Sequence, residues 1–222
     1  MPVEKWDGDV ISAEEFDRLQ DLYGPLAEAV RELIDATVRT GADEGAIAAA
    51  TAAVRAVTES LRPLNDGWQP LRHAETGRPV LFTNPAAGWR NPIAPPMVVE
   101  HDADGRCWSD FTLGAAYEGP PGCVHGGYVA AVFDELLGAT QSLSGDQGMT
   151  AHLGVDYRRP TPLGAPLRLE GWLDRRDGRK IYAKGALYSG DELTAEADGL
   201  FIAFDREKFA ALLAARNDAE QG

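Results

Sequence analysis

The chain has 222 residues, of which 44% are apolar, and a formal net charge of −14. The apolar content is ample for a packed core, and the length suits one domain or a domain with an appendage. The acidic balance argues against a nucleic-acid or anionic-membrane binder, because phosphate groups attract basic proteins. No apolar run approaches the roughly 20 residues that span a bilayer and no signal-peptide pattern begins the chain, so we expect a cytoplasmic protein.

The two cysteines, Cys107 and Cys123, form no CxxC pair, and the four histidines are scattered. Neither a disulfide framework nor a structural metal is expected from this usage.

Helical signals dominate residues 1–62. Ser12 and Glu15 form a capping-box pattern, and apolar residues recur at helical spacing from Phe16 to Ile34, with Pro25 as a possible break. A second, Ala-rich helix is predicted over 43–61. Together they suggest a helical hairpin that serves packing or dimerisation.

Seven of the 14 prolines fall in residues 63–96. Because proline removes backbone donors, this composition predicts a draped linker with one short strand near 79–83. Trp68, Phe82 and Trp89 are expected to pin the linker to the domain by burying their rings.

Strand-like patterns fill most of residues 97–205. A hairpin is predicted over 97–113, and four further strands follow a long helix, at 149–158, 166–175, 179–188 and 192–204, with an irregularity near Gly171. Short turns make these strands antiparallel neighbours. We therefore predict an α+β domain in which one antiparallel sheet wraps one helix, followed by a C-terminal helix and tail over 206–222.

The stretch GPPGCVHGGYVAAVFDELLGAT carries the chemistry. Gly126 and Gly127 lie at the N-terminus of the predicted helix, called its mouth below, and leave N–H groups open to an oxyanion. On the helical wheel Asp134 lies at the flank of the packed stripe, where partial desolvation suits a carboxylate to proton transfer, although an ordinary surface Asp fits as well. Glu135 points away from the stripe and is predicted to be a solvated charge.

Eight residues of helix place Asp134 roughly 10–12 Å from its own helix mouth. One reacting carbonyl does not span that distance. If both elements act on the same carbon, Asp134 comes from a second copy, and the active form is at least a two-fold dimer.

His125 precedes the helix and either orders the loop or acts as a base. A Cys123–His125 nucleophile pair lacks a third, orienting residue. No GxSxG elbow, P-loop, GxGxxG or HExxH pattern occurs, which leaves serine hydrolase, NTPase, dinucleotide and zincin functions without support.

Eight of the 21 basic residues lie between Arg158 and Lys184 against three acids, so this window is basic in an acidic chain. Solvated strand faces explain such a window, and so does a phosphate-bearing ligand.

These motifs together resemble a known family. GPPGCVHGG, the acid nine residues after His125, the strand LGVDYRRPTP and the turn DGRK are similar to hotdog-fold acyl-CoA thioesterases of the phenylacetyl-CoA thioesterase type, especially the thioesterase superfamily member 4 and 5 group. The likeness covers residues 97–204.

The resemblance implies a hotdog fold, a homodimer or dimer of dimers, and an acyl-CoA substrate with no further cofactor. It implies that the Gly126 and Gly127 amides polarise the thioester carbonyl and that the partner's acid, the counterpart of Asp134, acts as base or nucleophile. A hydroxyl near Thr150 positions the water in such enzymes, but strand parity puts Thr150 opposite to Leu153 unless a bulge or strand edge intervenes.

By the same likeness, coenzyme A phosphates contact Arg158, Arg159, Arg179 and Lys180. Many relatives carry Asn in the loop before HGG, where Glu118 or Gly119 stands here.

Hydrolysis of an acyl-CoA thioester is therefore the leading hypothesis, ahead of carrier-protein thioesters. The alternative is a non-catalytic acyl-CoA-binding or scaffold hotdog protein, whose sequence would lack the acid. A hotdog hydratase fits the HGG helix poorly. The N-terminal 95 residues are expected to shape the acyl tunnel or the oligomer.

Overall fold

The computed structural model describes residues 9–62, 71–74, 79–80, 82–145 and 148–203. The predicted C-terminal helix and Trp68 lie outside these ranges. In chain order the elements are β1 (Asp9–Ile11), α1 (Ala13–Arg39), α2 (Glu44–Leu61), β2 (Leu71–His73), β3 (Pro79–Val80), β4 (Glu100–His101), β5 (Cys107–Thr112), a 3-10 turn (Ala115–Tyr117), α3 (Gly126–Ser142), β6 (Gly148–Tyr157), β7 (Pro166–Asp177), β8 (Lys180–Ser189) and β9 (Glu192–Ala203).

The main sheet has six antiparallel strands in the order β4-β5-β7-β8-β9-β6. Its last three strands in sequence form the meander that the turn signals predicted. The first hairpin is shorter than expected, since only Glu100 and His101 of the predicted strand 97–101 pair with β5. The short strands β1, β2 and β3 form a separate small sheet.

Helix α3 packs on the inner face of this sheet and supplies the centre of the core. Phe133, Leu136 and Leu137 are fully buried, with Val129 and Val132 beside them. The apolar stripe of the helix thus meets the alternating inner residues of the strands. One helix wrapped by one antiparallel sheet is the hotdog arrangement that the sequence predicted.

Three glycines on neighbouring strands let α3 approach the sheet closely. A Cβ at Gly171 would lie 2.7 Å from Thr140 Oγ1, one at Gly185 3.1 Å from the Phe133 ring, and one at Gly199 3.2 Å from Leu137. Gly171 and Gly185 are direct cross-strand partners. The helix therefore rests on strand backbone at these points, where a side chain would push it away.

The irregularity expected near Gly171 lies further along β7. Gly171 keeps its register opposite Gly185, and the register shifts between Leu173 and Arg175. Gly171 serves the close helix approach and not a bulge. A second shift lies in β6 between Thr150 and His152.

Helix α1 begins as the capping box predicted, since the Ser12 hydroxyl accepts from the Glu15 N–H at 3.1 Å. Pro25 lies inside the helix without ending it. The buried face differs from the expected stripe, because Ala27 is buried while Leu22 and Leu26 are exposed.

Helix α2 begins after Asp43, whose side chain accepts from the Ala46 N–H. All its residues are exposed, so it does not pack along α1 and the predicted helical hairpin is wrong. The two helices form as separate elements because caps and propensity act locally, whereas pairing needs a shared buried face. None of the described helices has the length and apolarity to cross a membrane.

The close seat of α3 predicts opposite effects for two Gly→Ala changes. Gly185→Ala should lower the free energy of unfolding by about 1–3 kcal/mol, because the new methyl group meets the Glu170 carbonyl and the Phe133 ring. Gly138→Ala should raise it by about 0.5–1 kcal/mol, because nothing lies within 4 Å and alanine favours the helix. Chemical denaturation at equal protein concentration measures both, and equal effects would contradict the close packing.

Candidate active site

The mouth of α3 is organised by His125. This residue is the N-cap in extended conformation, and its Nδ1 accepts the Gly127 N–H at 3.0 Å. Because Nδ1 accepts, the ring proton lies on Nε2 in the neutral form. This contact is the one expected of a loop-ordering His125, one of the two roles that the sequence left open.

The two glycine amides at the mouth are not equivalent. Gly127 donates to His125, whereas the Gly126 N–H has no acceptor among the described residues. The His125 carbonyl, on the same peptide as the Gly126 N–H, accepts from Tyr128 at 2.9 Å and from Val129 at 3.2 Å. These bonds polarise that peptide and strengthen its open donor. The expected pair of open amides is therefore reduced to Gly126.

The loop before the mouth folds on itself. Glu118 accepts the Gly122 N–H at 2.7 Å. A Cβ at Gly119 would lie 2.7 Å from the backbone of His125, so this position has no room for a side chain such as the Asn that the resemblance led us to expect in this loop. Cys123 Sγ contacts the Pro121 carbonyl at 3.7 Å. Since His125 Nδ1 is already bound to Gly127, the geometry gives a Cys123–His125 nucleophile pair no support.

Tyr157, at the end of β6, is a neighbour of the mouth that sequence reasoning missed. Its hydroxyl donates to the Gly126 carbonyl at 2.8 Å, and its ring covers the Gly126 Cα. The signal was present, because Tyr157 belongs to the strand pattern behind the resemblance. Only the fold shows that this strand ends beside the helix mouth.

The acid lies two turns along α3. Asp134 is half-buried, and its Oδ1 accepts from the Thr150 hydroxyl at 2.9 Å. The bulge in β6 makes this contact possible. Thr150 pairs with Phe201 and His152 with Leu200, so Ala151 is the extra residue and Thr150 turns toward the helix.

Glu135 is not the solvated charge that the helical wheel predicted. It is half-buried and accepts from Asn84 Nδ2 at 3.1 Å. Burial raises the pKa of the Glu135 carboxyl, the charge of Asp134 adds to this rise, and the Asn84 hydrogen bond opposes it. The wheel missed this because the covering residue is distant in sequence, in the segment that was expected to be a linker.

The mouth and the acid cannot meet within one chain. Gly126 and Asp134 belong to one helix, and eight residues of helix separate them by about 12 Å.

The four basic residues assigned to coenzyme A fall into two groups. The N–H groups of Arg158 and Arg159 both donate to Thr194 at one end of β9. Lys180 pairs with Ile202 at the other end, about 25 Å away at the usual strand rise. One chain therefore does not bring all four together.

Many charges of the basic window are paired with acids. Arg158 contacts Glu196 at 2.8 Å and Asp156 at 3.0 Å, and Arg159 contacts Glu192 at 3.0 Å. Arg179 donates to the Ala203 carbonyl at 2.9 Å. Solvated strand faces thus account for much of the window. Within the described ranges, no group of three or more His, Cys, Asp or Glu side chains is placed to hold a metal ion.

Comparison with known proteins places this geometry in a family. The thioesterase superfamily profile matches residues 121–196, from the loop before the mouth into β9. The chain is 40% identical over 114 residues to acyl-coenzyme A thioesterase THEM4 of Bos taurus, covering 50% of this chain and 47% of that protein. It is 31% identical over 100 residues to acyl-coenzyme A thioesterase THEM5 of Homo sapiens, covering 44% and 40%. The chain thus spans about half the length of the curated relatives it matches.

A solved structure matches over a larger part of the chain. The crystal structure of protein RHA08564, a thioesterase superfamily protein, is 34% identical with a TM-score of 0.75. The match covers 81% of this chain and 94% of that one, so it extends beyond the sheet and α3. The chain belongs to the thioesterase superfamily.

Proposed function

We propose that this chain hydrolyses an acyl-CoA thioester to a free acid and coenzyme A, in a site built from two copies. The curated relatives named acyl-coenzyme A thioesterase support the substrate class. The observation that carries the mechanism is that Asp134, bonded to Thr150 of β6, lies on the same rigid helix as the open Gly126 amide, at a distance that one thioester carbonyl does not span.

The exposed edge of β6 supports the two-fold arrangement. Among the described strands β6 pairs only with β9, so every second residue of this ten-residue strand leaves its N–H and C=O groups open along the other edge. Pairing this edge antiparallel with its copy makes one continuous sheet and sets the two α3 helices antiparallel. Each Asp134 then faces the mouth of the other copy.

In this site the thioester carbonyl oxygen accepts from the Gly126 N–H of one copy. Asp134 of the other copy takes a proton from water on the carboxylate oxygen that Thr150 leaves free, and the water oxygen attacks the carbonyl carbon. The Gly126 N–H and the dipole of α3 stabilise the resulting oxyanion. The C–S bond then breaks, and the coenzyme A sulfur leaves with the proton from Asp134.

The same arrangement brings the two basic groups together. Gly148 starts β6 opposite Ala203, at the Lys180 end of the sheet, and Tyr157 ends it beside Arg158. Antiparallel edges place the Arg158 end of one copy next to the Lys180 end of the other. We infer that Arg158 and Arg159 of one copy and Arg179 and Lys180 of the other hold the phosphates of coenzyme A.

Release of free thiol from a panel of acyl-CoA substrates tests the function. Asp134→Asn should lower kcat about 10²–10⁴-fold, because the base is lost while the shape is kept. The matched control is Asp110→Asn, which removes an exposed carboxylate paired with Arg168 on the sheet and should leave the rate unchanged. No release from any acyl chain would instead favour the binding or scaffold function.

Thr150 provides a second test of the acid. Thr150→Val keeps the shape but removes the hydroxyl that donates to Asp134, and kcat should fall about 10–100-fold, since a hydrogen bond to a charged group contributes about 1.5–3 kcal/mol. Thr150→Ser keeps the donor and should retain most of the rate. Steady-state kinetics measure both, and equal losses would remove Thr150 from the site.

Mixed dimers test the two-copy site. Gly126→Pro removes the open donor while the backbone is kept, because proline suits the first helical residue and the extended His125 before it, and its Cβ would lie at an ordinary contact distance of 3.4 Å from the Tyr157 ring. Mixing this variant with Asp134→Asn should restore about one quarter of wild-type activity, since half of the dimers are mixed and each has one intact site. Absence of recovery after subunit exchange, verified by mass spectrometry, would exclude the composite site.

A further inference from the structure

Helix α1 contacts two other segments of the chain, and each of these segments is hydrogen-bonded to one functional end of α3. Near its start, Phe16 and Tyr23 contact the turn 82–90. Near its end, Asp35 contacts the segment 114–117. The 19 helical steps from Phe16 to Asp35 span about 28 Å, so one rigid element reaches both places.

At the mouth end, the Asp35 carboxylate accepts the Ala116 N–H at 3.1 Å. Gly114 is tightly packed against it, since a Cβ there would lie 2.7 Å from the carboxylate. One residue on, the Tyr117 carbonyl accepts the N–H of His125 at 2.9 Å. Asp35 is thus two hydrogen bonds away from the N-cap of α3.

The Tyr117 side chain strengthens the same link. Its ring meets the Tyr128 ring of α3 edge-on at 4.8 Å, and its hydroxyl donates to the Ala94 carbonyl at 2.9 Å. Burial raises the pKa of Tyr117, which keeps the hydroxyl protonated as a donor. The backbone that positions the mouth is therefore held from α1 on one side and from α3 on the other.

At the acid end, aromatic contacts hold the turn 82–90 on α1. The rings of Phe16 and Trp89 lie 6.2 Å apart edge-on, and the Arg90 guanidinium stacks on the Tyr23 ring at 3.9 Å. Inside the turn, Asn84 Oδ1 accepts the Ala86 N–H at 2.6 Å, which orients the amide.

The oriented amide then reaches α3. Asn84 Nδ2 donates to Glu135 at 3.1 Å, and Glu135 directly follows Asp134. A hydrogen bond at this position resists rotation of α3 about its axis, and such rotation would move Asp134 away from Thr150.

We propose that Asp35 and Asn84 are positioning residues for the hydrolysis, Asp35 for the Gly126 mouth and Asn84 for Asp134. This inference rests on the proposed function. The physical reason is that misplacement of a reacting group by about 1 Å costs up to about 100-fold in rate. The N-terminal region is then a part of the active site's support and acts on two separate half-sites.

The hydrogen bond between Asn84 and Glu135 is tested by substituting first one and then both of its partners. Asn84→Asp keeps the acceptor for Ala86 but sets a carboxylate against Glu135, and kcat should fall about 10-fold or more with KM little changed. Adding Glu135→Gln restores a donor–acceptor pair of reversed direction and should recover most of kcat. If Asn84 had only a structural role, the variants would lose stability and the double variant would not recover kcat. That result would overturn the assignment.

The Asp35 link is tested with Asp35→Ala, which removes the acceptor, and Asp35→Asn, which keeps an oxygen for Ala116. The first should lower kcat about 10-fold or more and the second much less. If Asp35→Ala does not fold, Asp35→Glu, which displaces the acceptor, takes its place. Equal kcat in the wild type and the variant without a well-placed acceptor would overturn the proposal.

Mixed dimers separate the two half-sites. Asp35→Ala should regain activity when mixed with Asp134→Asn but not with Gly126→Pro, because its defect is at the mouth. Asn84→Asp has its defect at the acid, so it should regain activity when mixed with Gly126→Pro but not with Asp134→Asn. Identical behaviour of the two variants would contradict the division of roles.

Amide hydrogen exchange keeps the inference testable if no acyl-CoA is cleaved. Asp35→Ala should accelerate exchange at His125 and Tyr128, whereas Asn84→Asp should leave those amides protected. Inactive wild-type protein with this exchange pattern would reject the proposed function while keeping the positioning roles. Unchanged exchange in Asp35→Ala would reject the link between α1 and the mouth.

Discussion

The seat of α3 on the sheet is the constraint on which the rest of the structure depends. Where Gly171 and Gly185 face the helix, Phe133 and Leu137 press against strand backbone, and a rotation or shift of α3 would drive these side chains into it. Packed interiors resist such movement. The mouth and the acid are therefore two points on a rigid rod, and their separation is a property of the helix itself. No closing motion within one chain shortens it.

Because the helix is rigid, two different kinds of contact surround it, apolar packing and single polar hydrogen bonds. The middle of the face toward the sheet is apolar, and the buried Thr140 hydroxyl on that face donates to the Leu136 carbonyl of the helix itself. Single polar contacts meet the flanks of the helix, from Asn84 to Glu135 and from Thr150 of the edge strand β6 to Asp134. Apolar packing determines where the helix lies, and hydrogen bonds determine how its carboxylates are directed. The direction of the carboxylates therefore depends on polar contacts, whereas the stability of the fold depends on how apolar side chains fill the core.

Sequence reasoning succeeded where a local pattern decides the outcome. The long helix after HGG, the antiparallel meander and the cap at Ser12 all follow from periodicity, turn residues and capping, and the structure has them. The distance between Gly126 and Asp134 needed only the helical rise.

Prediction from the sequence failed where a contacting residue lies far away along the chain. Asn84 covers Glu135 from 51 residues away, and nothing near Glu135 announces it. For the basic window the sequence left solvated strand faces and a phosphate-bearing ligand open, because Glu192 and Glu196 lie beyond the end of the window and meet its arginines only across the sheet. Helical spacing also placed Leu22 and Leu26 in the apolar stripe of α1, whereas both are exposed and Ala27 on a neighbouring face is buried. Tertiary contact selects among faces that the sequence leaves nearly equivalent.

The bulge in β6 has a consequence for how such a site can change. With Ala151 as the extra residue, the strand consists of two segments of opposite parity. The later segment turns Leu153 and Val155 toward the core, and the earlier one turns Thr150 toward the acid. Substitutions in the earlier segment can alter the group presented to the acid without disturbing the core register. Because of this one inserted residue, the segment of β6 after Ala151 packs against the core, whereas the side chains of the segment before it can change without affecting that packing.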